Sequence, residues 1–276
     1  MARSGTPTRL ATHPNDFTVK DTDAKDVERA RYNERSLHTL AAGTHDDFAI
    51  SGAAALSPAL RTPYLRHEAS IREHARPGVD VLDVCCGDGL HSLTAAYNGA
   101  NVTATDLAEH ALKIAAIRAE RAGLEIRFVP ADAETLPFAD HSFDVVTCAG
   151  SLSYVDLGKF LGELRRVLRP GGAFIFVDSL NHNPVYRLNR WWHYRRGRRT
   201  RATLERMPTL STLAAIRAVF PDLNVSFHGV FSFLIPALKL VGPDRSASLL
   251  DRADRSLPAL QRFAFKVAGV GHLPSR

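Results

Sequence analysis

From Gly78 onward, short apolar runs alternate with stretches of helical spacing: VDVLDV, GLHSLTAAYNG, NVTATD, LAEHALKIAAIRAERAG and EIRFVPAD. Apolar runs bounded by turn residues predict buried strands, and apolar positions three and four apart predict helices. Their alternation predicts a βαβαβ unit and a parallel sheet, an α/β architecture wound on both faces. FDVVTCAG supplies a fourth strand, a helix follows over Asp156–Leu168, and Arg169-Pro170-Gly171-Gly172 reads as a turn before AFIFVD, the fifth strand. Beyond it the spacing predicts a helix over Thr212–Phe220, a strand over Asn224–Phe233, a helix over Asp244–Arg255 and a last strand over Phe263–Val270. Two further helices are predicted ahead of the core, over Asp26–Ala42 and Leu60–Ala75. The chain thus divides into an aperiodic tail (1–25), amino-terminal helices (26–78) and a main domain (79–276), interrupted between strands five and six by an insertion over 181–211.

Composition narrows the class. A chain of 276 residues, 45% hydrophobic and 23% charged, is neither disordered throughout nor fibrous. Cys85, Cys86 and Cys148 are too few for a disulfide framework, which predicts a reducing, cytoplasmic setting. The amino terminus has no apolar core of signal-peptide length. The most apolar window, Val230–Val241, is interrupted by Pro236 and Lys239, so no membrane-spanning segment is expected. The histidines lack paired spacing with acids on one element, and no metal site is predicted.

Candidate chemistry collects at the ends of the predicted strands. The first runs into Asp83-Val84-Cys85-Cys86-Gly87-Asp88-Gly89 and then a helix. Glycines at such a turn let backbone N–H groups approach a ligand, and the helix amino terminus favours a negative group. Only two glycines fit the dinucleotide fingerprint and an acid precedes the loop, which speaks against a nicotinamide dinucleotide. Asp106 ends strand two, where a carboxylate accepts both hydroxyls of a ribose. Asp132 ends strand three, placed to accept from an exocyclic amine such as adenine N6. Each of these acids alone reads better as a solvated strand-end residue or a helix cap. Three at successive strand ends, beside a glycine loop, fit an adenosine-containing ligand with a carboxylate-bearing tail.

VLDVCCGDG, VTATDLAEHALKIA, FVPADAETLPFADHSFDVV and LGELRRVLRPGGAFIFVD, in that order, resemble the successive motifs of class I S-adenosylmethionine-dependent methyltransferases of the UbiE-like, type 11 branch. The resemblance covers Val79 to Asp178. It implies a Rossmann-like, doubly wound seven-stranded sheet of order 3-2-1-4-5-7-6 with strand seven antiparallel, S-adenosyl-L-methionine as cofactor and S-adenosyl-L-homocysteine as product. By the same resemblance Asp83, Cys86, Gly87 and Gly89 surround the methionine moiety, Asp106 holds the ribose, and Leu107 lies beside adenine. Asp132 and Ala133 read the adenine edge, and Ala149, Gly150 and Ser151 lie near the methionine amine and the methyl group. The family usually has glycine where Cys85 stands, and a Cβ there narrows the approach to the ligand.

A methyl acceptor belongs above the carboxyl ends of strands four and five. Candidate catalytic residues there are His182 as general base, Tyr154 and His193, while Tyr32 on the first helix is placed to close over the cofactor. Asn183-Pro184-Val185-Tyr186 is similar to the Asn-Pro-Pro-Tyr signature of amino-methylating nucleic-acid enzymes but follows strand five instead of strand four, so it reads as a turn opening the insertion. The insertion carries seven arginines between Arg187 and Arg201, no acid, and both tryptophans of the chain. Setting those seven aside leaves 28 cations against 29 acids, so the formal charge of +6 belongs to this segment. It reads as an anion-binding lid over a phosphorylated or carboxylated substrate, as a nucleic-acid surface, or as a cap helix whose Trp191 and Trp192 pack on the core beneath a solvated arginine face. No RNA-binding module accompanies it, so nucleic acid is the less favoured partner. By analogy with the family, the expected reaction is methylation of a small molecule, on oxygen of a sugar or specialised metabolite in preference to nitrogen of a small amine or peptide. An RNA methyltransferase and a non-catalytic S-adenosylmethionine-binding protein are the remaining alternatives.

Overall fold

In the computed structural model, residues 21–42, 56, 58–196, 201–234 and 242–275 are described. The strands β1 (Asp80–Val84), β2 (Asn101–Asp106), β3 (Ile126–Pro130), β4 (Phe143–Ala149), β5 (Leu168–Ser179), β6 (Asn224–His228) and β7 (Lys266–His272) form one sheet. Its order is β3-β2-β1-β4-β5-β7-β6, and β7 runs antiparallel to both neighbours. This is the doubly wound sheet implied by the family motifs.

Both faces of the central strands are buried, which is why they read as continuous apolar runs instead of alternating ones. Side chains on successive residues point to opposite faces. Leu82, Val146, Phe174 and Phe176 therefore join one core, with Phe160 and Leu164 of α5 (Leu157–Val167) and Ile216 of α8 (Leu210–Val219). Val81, Val145 and Ile175 join the other, with Ile71 of α2 (Pro58–His74) and Ala95 of α3 (Leu90–Tyr97). α1 (Asp21–Ala42) lies against α4 (Glu109–Arg121), where Asn33 Oδ1 accepts from the His110 N–H at 3.0 Å.

Several boundaries differ from the sequence expectation. α1 begins at Asp21 and so takes in the last part of the expected tail; residues 1–20 lie outside the described residues. The expected turn at Arg169–Gly172 is part of β5, which starts at Leu168 paired with Phe143. Gly171, at φ +78°, accommodates the irregularity while its N–H donates to Leu273 O at 3.0 Å. The expected strand over Asn224–Phe233 stops at His228, because Gly229 (φ +77°) turns the chain into a short 3-10 segment at Ser232–Leu234.

The insertion forms α6 (Pro184–Arg195) and α7 (Arg201–Glu205). Asn183 opens α6 as its cap: Oδ1 accepts from the N–H groups of Val185 (3.1 Å) and Tyr186 (3.4 Å), with Pro184 at the first helical position. The packing of α6 runs against one of the three readings of the insertion, the cap helix with its tryptophans on the core. Trp191 and Trp192 are exposed, whereas Arg190 is buried and donates to Leu180 O at 2.9 Å and Asn181 Oδ1 at 3.1 Å. Beneath the helix, Tyr186 stacks on Phe265 with centroids 3.7 Å apart.

Candidate active site

At the carboxyl ends of β1, β2, β3 and β4 a cavity of about 430 Å³ opens, walled by α1 and by Tyr64 of α2. Crevices in this position are where open α/β sheets bind ligands. Of the residues singled out in the sequence, Asp83, Cys86, Gly87, Asp106, Leu107, Asp132, Ala133, Ala149, Gly150, Ser151, Tyr154 and Tyr32 line it. Cys85 lines it as well.

The three strand-end acids differ in what they offer a ligand. Asp83 is 2% exposed, and its oxygens accept from Ser92 Oγ at 2.5 Å and Thr147 Oγ1 at 2.8 Å. It ties β1 to β4 and α3. Asp106 accepts backbone N–H donors, Gly87 on Oδ2 at 2.9 Å and Ala108 on Oδ1 at 2.8 Å. A carboxylate has about four acceptor positions, so about two remain for ligand hydroxyls. Asp132 Oδ1 accepts from the Glu134 N–H at 2.9 Å, and its Oδ2 accepts from Lys25 Nζ at 2.7 Å. Lys25 also lies 2.8 Å from Glu134, so an ammonium group of α1 sits at the acid assigned to an amine. Burial works against that ammonium, but its contacts with Asp132 and Glu134 hold its pKa above the usual lysine value.

Two glycine-loop positions carry backbone constraint. Gly89 has φ +79° and is buried, and a Cβ there would come within 2.7 Å of Ala115 Cβ. Its glycine is required by the close approach of α3 to α4, and it stands outside the cavity lining. Cys85, in the place where glycine is usual, has φ +56°, a conformation costing a non-glycine residue about 1 kcal/mol or more.

Over the mouth, the Tyr32 hydroxyl donates to the Tyr154 oxygen at 3.3 Å, and Arg31 donates to the same oxygen at 3.4 Å. Burial, and the Tyr154 hydroxyl beside it, push the Tyr32 phenol pKa up, so it remains protonated. The other two catalytic candidates stand elsewhere. His182 is absent from the cavity lining: its Nε2 accepts the Leu210 N–H at 2.9 Å and so finishes the start of α8. His193 lies on α6, also outside the lining. His182 follows β5 by three residues, and its ring turns to the start of α8.

Sequence reasoning missed His91 and Tyr64. Both line the cavity, with rings stacked at 5.9 Å and 10°. Burial lowers the His91 pKa, with Asp83 and Glu68 pulling the other way, so the imidazole is held neutral. His91 follows the glycine loop directly and was open to inspection there; Tyr64 sits on a separate helix with no spacing to betray it. Among the described residues no arginine of the insertion lines the cavity, and the cations there are Lys25, Arg29 and Arg35 of α1. Arg198 and Arg199 lie outside the described residues.

Residues 82–176 match the family described as a methyltransferase domain. Over these residues the chain is similar to methyltransferase domains. Among relatives of this domain, an uncharacterized protein of Mycobacterium tuberculosis is 37% identical over 154 residues, 55% of this chain and 52% of that one. The demethylmenaquinone methyltransferase of Thermus thermophilus is 45% identical over 101 residues, 36% of this chain and 46% of its own. The chain thus spans about half the length of the curated relatives it matches. Among solved structures, the cyclase SpnF shares the fold with a TM-score of 0.60 and 20% identity, over 92% of this chain and 97% of that one.

The chemistry of the cavity lining suits S-adenosylmethionine. Asp83, Asp88, Asp106, Asp132 and Glu28 outnumber Lys25, Arg29 and Arg35 along the lining, a field that favours a cationic sulfonium. Asp106 keeps acceptor capacity for a ribose, and Leu107, Ala108 and Ala133 give the apolar wall that a purine ring requires.

Proposed function

We propose that this chain binds S-adenosylmethionine in the cavity at the carboxyl ends of β1 to β4 and catalyses methyl transfer to a hydroxyl of a small-molecule acceptor. The observation that carries the reading is the convergence of Asp106, Asp132 and the Gly87 turn on one cavity at the carboxyl ends of three strands. The cofactor supplies an electrophilic methyl group on a sulfonium centre. The protein's part is to align the acceptor and exclude water.

Asp106 holds the ribose, and Asp132 takes the adenine amine once Lys25 has moved aside. Tyr32 and Tyr154 close the mouth. His91 is the group best placed to receive the proton that a hydroxyl loses, because it lines the cavity and burial keeps it unprotonated near neutral pH. This replaces His182, whose ring nitrogen is occupied by the Leu210 N–H.

A sugar or specialised metabolite remains the proposed acceptor class. The test is incubation of a metabolite pool with S-adenosylmethionine carrying an isotopic methyl label, read by mass spectrometry. A labelled O-methyl product is expected. Label on nitrogen would move the acceptor atom, and cofactor binding without any labelled product would leave a binding protein. With the acceptor in hand, His91→Gln is expected to lower kcat by about a hundredfold and His182→Ala to leave it near the parent value. The reverse pattern would return the base to His182.

A further inference from the structure

The cavity leaves α6 unused, and this helix carries an unusual surface. Arg190, Tyr186 and His193 occupy its inner side, with Arg190 5% exposed. At 100° per residue, Leu188 and Trp192 lie almost opposite Arg190, with Val185 and Trp191 flanking them. These four are Leu188 66%, Trp192 49%, Val185 46% and Trp191 45% exposed. Arg195 and Arg196 border the same face, their guanidinium groups 5.1 Å from the Trp191 ring and 4.4 Å from the Trp192 ring. From Ser179 to Leu204 the sequence has no acidic residue and seven arginines.

We propose that the outer face of α6 docks on an anionic phospholipid bilayer, lying in the headgroup plane. An apolar strip of aliphatic and indole side chains edged by arginine is the pattern that buries itself at the acyl boundary while its cations meet lipid phosphates. With 12 residues, α6 is about 18 Å long, too short to span a bilayer, and no described helix is long and apolar enough to do so. Nucleic acid fits less well. The indole faces that bases would stack on already carry guanidinium groups, and exposed Leu188 and Val185 have nothing to contact on a phosphate backbone. A protein partner would have to match a long, wholly cationic stretch, which a lipid surface matches without shape.

The helix is braced for this use. Asn183 donates to Val230 O at 3.1 Å and Phe263 O at 3.0 Å, fixing the start of α6 to the core, and Arg190 fixes its middle. α7, which follows, touches α1 where Thr203 Oγ1 donates to Glu28 Oε1 at 3.0 Å. Glu28 lines the cavity, so docking through α6 sets the insertion and the cavity rim side by side at the bilayer.

The chain's only two tryptophans are both on α6, so intrinsic fluorescence reports this helix alone. The full chain is titrated with vesicles of phosphatidylcholine, and separately of phosphatidylcholine mixed with phosphatidylglycerol. With the anionic vesicles the emission is expected to shift to the blue, brominated acyl chains to quench it, and added salt to reverse both. Leu188→Glu is expected to weaken partitioning about tenfold or more while thermal unfolding stays as in the parent, since Leu188 is mostly solvent-exposed. Arg195→Glu combined with Arg196→Glu gives a second variant that weakens it through charge. No emission change and no co-flotation with anionic vesicles at low salt would overturn the proposal. So would a shift produced by short RNA and not by vesicles, or light scattering showing a dimer that Leu188→Glu dissociates. Vesicle binding is read without any cofactor or acceptor, so its outcome is separate from that of the methyl-transfer reading.

Discussion

Two carboxylates one strand apart illustrate how position decides a residue's work. Asp83 and Asp106 both line the cavity beside the glycine loop, yet Asp83 is 2% exposed and bonded to the buried hydroxyls of Ser92 and Thr147, while Asp106 is only half-buried and bonded to backbone N–H groups. Asp83→Ala therefore leaves two buried hydroxyls without their partner and is expected to cost about 3 kcal/mol, seen as a fall in Tm of about 5 °C. Asp106→Asn is expected instead to abolish most of the rise in Tm that S-adenosylmethionine gives the parent chain. An equal rise in both proteins would take Asp106 out of the ligand site. The neighbouring thiols are set by the same acids. Burial, with nearby carboxylates adding to it, pushes the Cys85, Cys86 and Cys148 pKa values up. At pH 7 they are thiols, and reaction with a disulfide reagent should be more than about tenfold slower than in the unfolded chain. Fast modification of the folded protein would show a thiolate that this environment does not allow.

Among the elements, α6 and α1 are held to the core by few side chains, and those chains are where they can be broken. Asn183 both caps α6 and donates to two buried carbonyls, so Asn183→Ala loses a cap and two partnered acceptors at once. A destabilisation of about 2–4 kcal/mol in denaturant unfolding is expected, and one below about 1 kcal/mol would mean that α6 is held mainly by Arg190 and Tyr186. On α1, Lys25 occupies Asp132. If a ligand amine takes that acid, Lys25→Met removes a competitor and raises affinity for S-adenosylmethionine about threefold in calorimetric titration. Unchanged affinity would place the amine elsewhere. The element pattern was legible where burial is two-sided, as in β1, β4 and the middle of β5, because the apolar run is itself the consequence of that burial. It failed where pairing across the sheet overrode local turn chemistry. Arg169-Pro170-Gly171-Gly172 carries every sign of a turn, yet Leu168 and Gly171 find partners in Phe143 and Leu273 and the strand runs through.

For the whole molecule, the candidate site divides along the same line. Asp106, Asp132 and the glycine turn were readable because they sit at strand ends, fixed relative to one sheet. Tyr64 and His182 depend on how separate elements pack, Tyr64 of α2 on His91 of α3 and His182 on Leu210 of α8, which no local spacing encodes. His67 belongs to that hidden class. It is 1% exposed on α2, meets the His91 ring edge-on at 4.9 Å, and neither ring nitrogen has a hydrogen-bond partner among the described residues. Burial, with His91 adding to it, holds its pKa well below 6.5, so the folded chain keeps it neutral. The unfolded chain binds a proton there near pH 6.5 and the folded chain does not, so this group's share of stability is intact above pH 6.5 and is lost as pH falls below it. The loss is up to about 1.4 kcal/mol per pH unit. The buried acids Asp83, Asp106 and Asp178 have raised pKa values and act in the opposite sense at lower pH, so the total curve mixes the two. Comparison with His67→Phe isolates the histidine. Between pH 7 and pH 5 the stability of His67→Phe relative to the parent should climb by up to about 1.4 kcal/mol per unit, measured by denaturant unfolding at each pH. A difference that stays flat across that range would mean that His67 is protonated in the fold and shares its charge with the neighbouring Glu68.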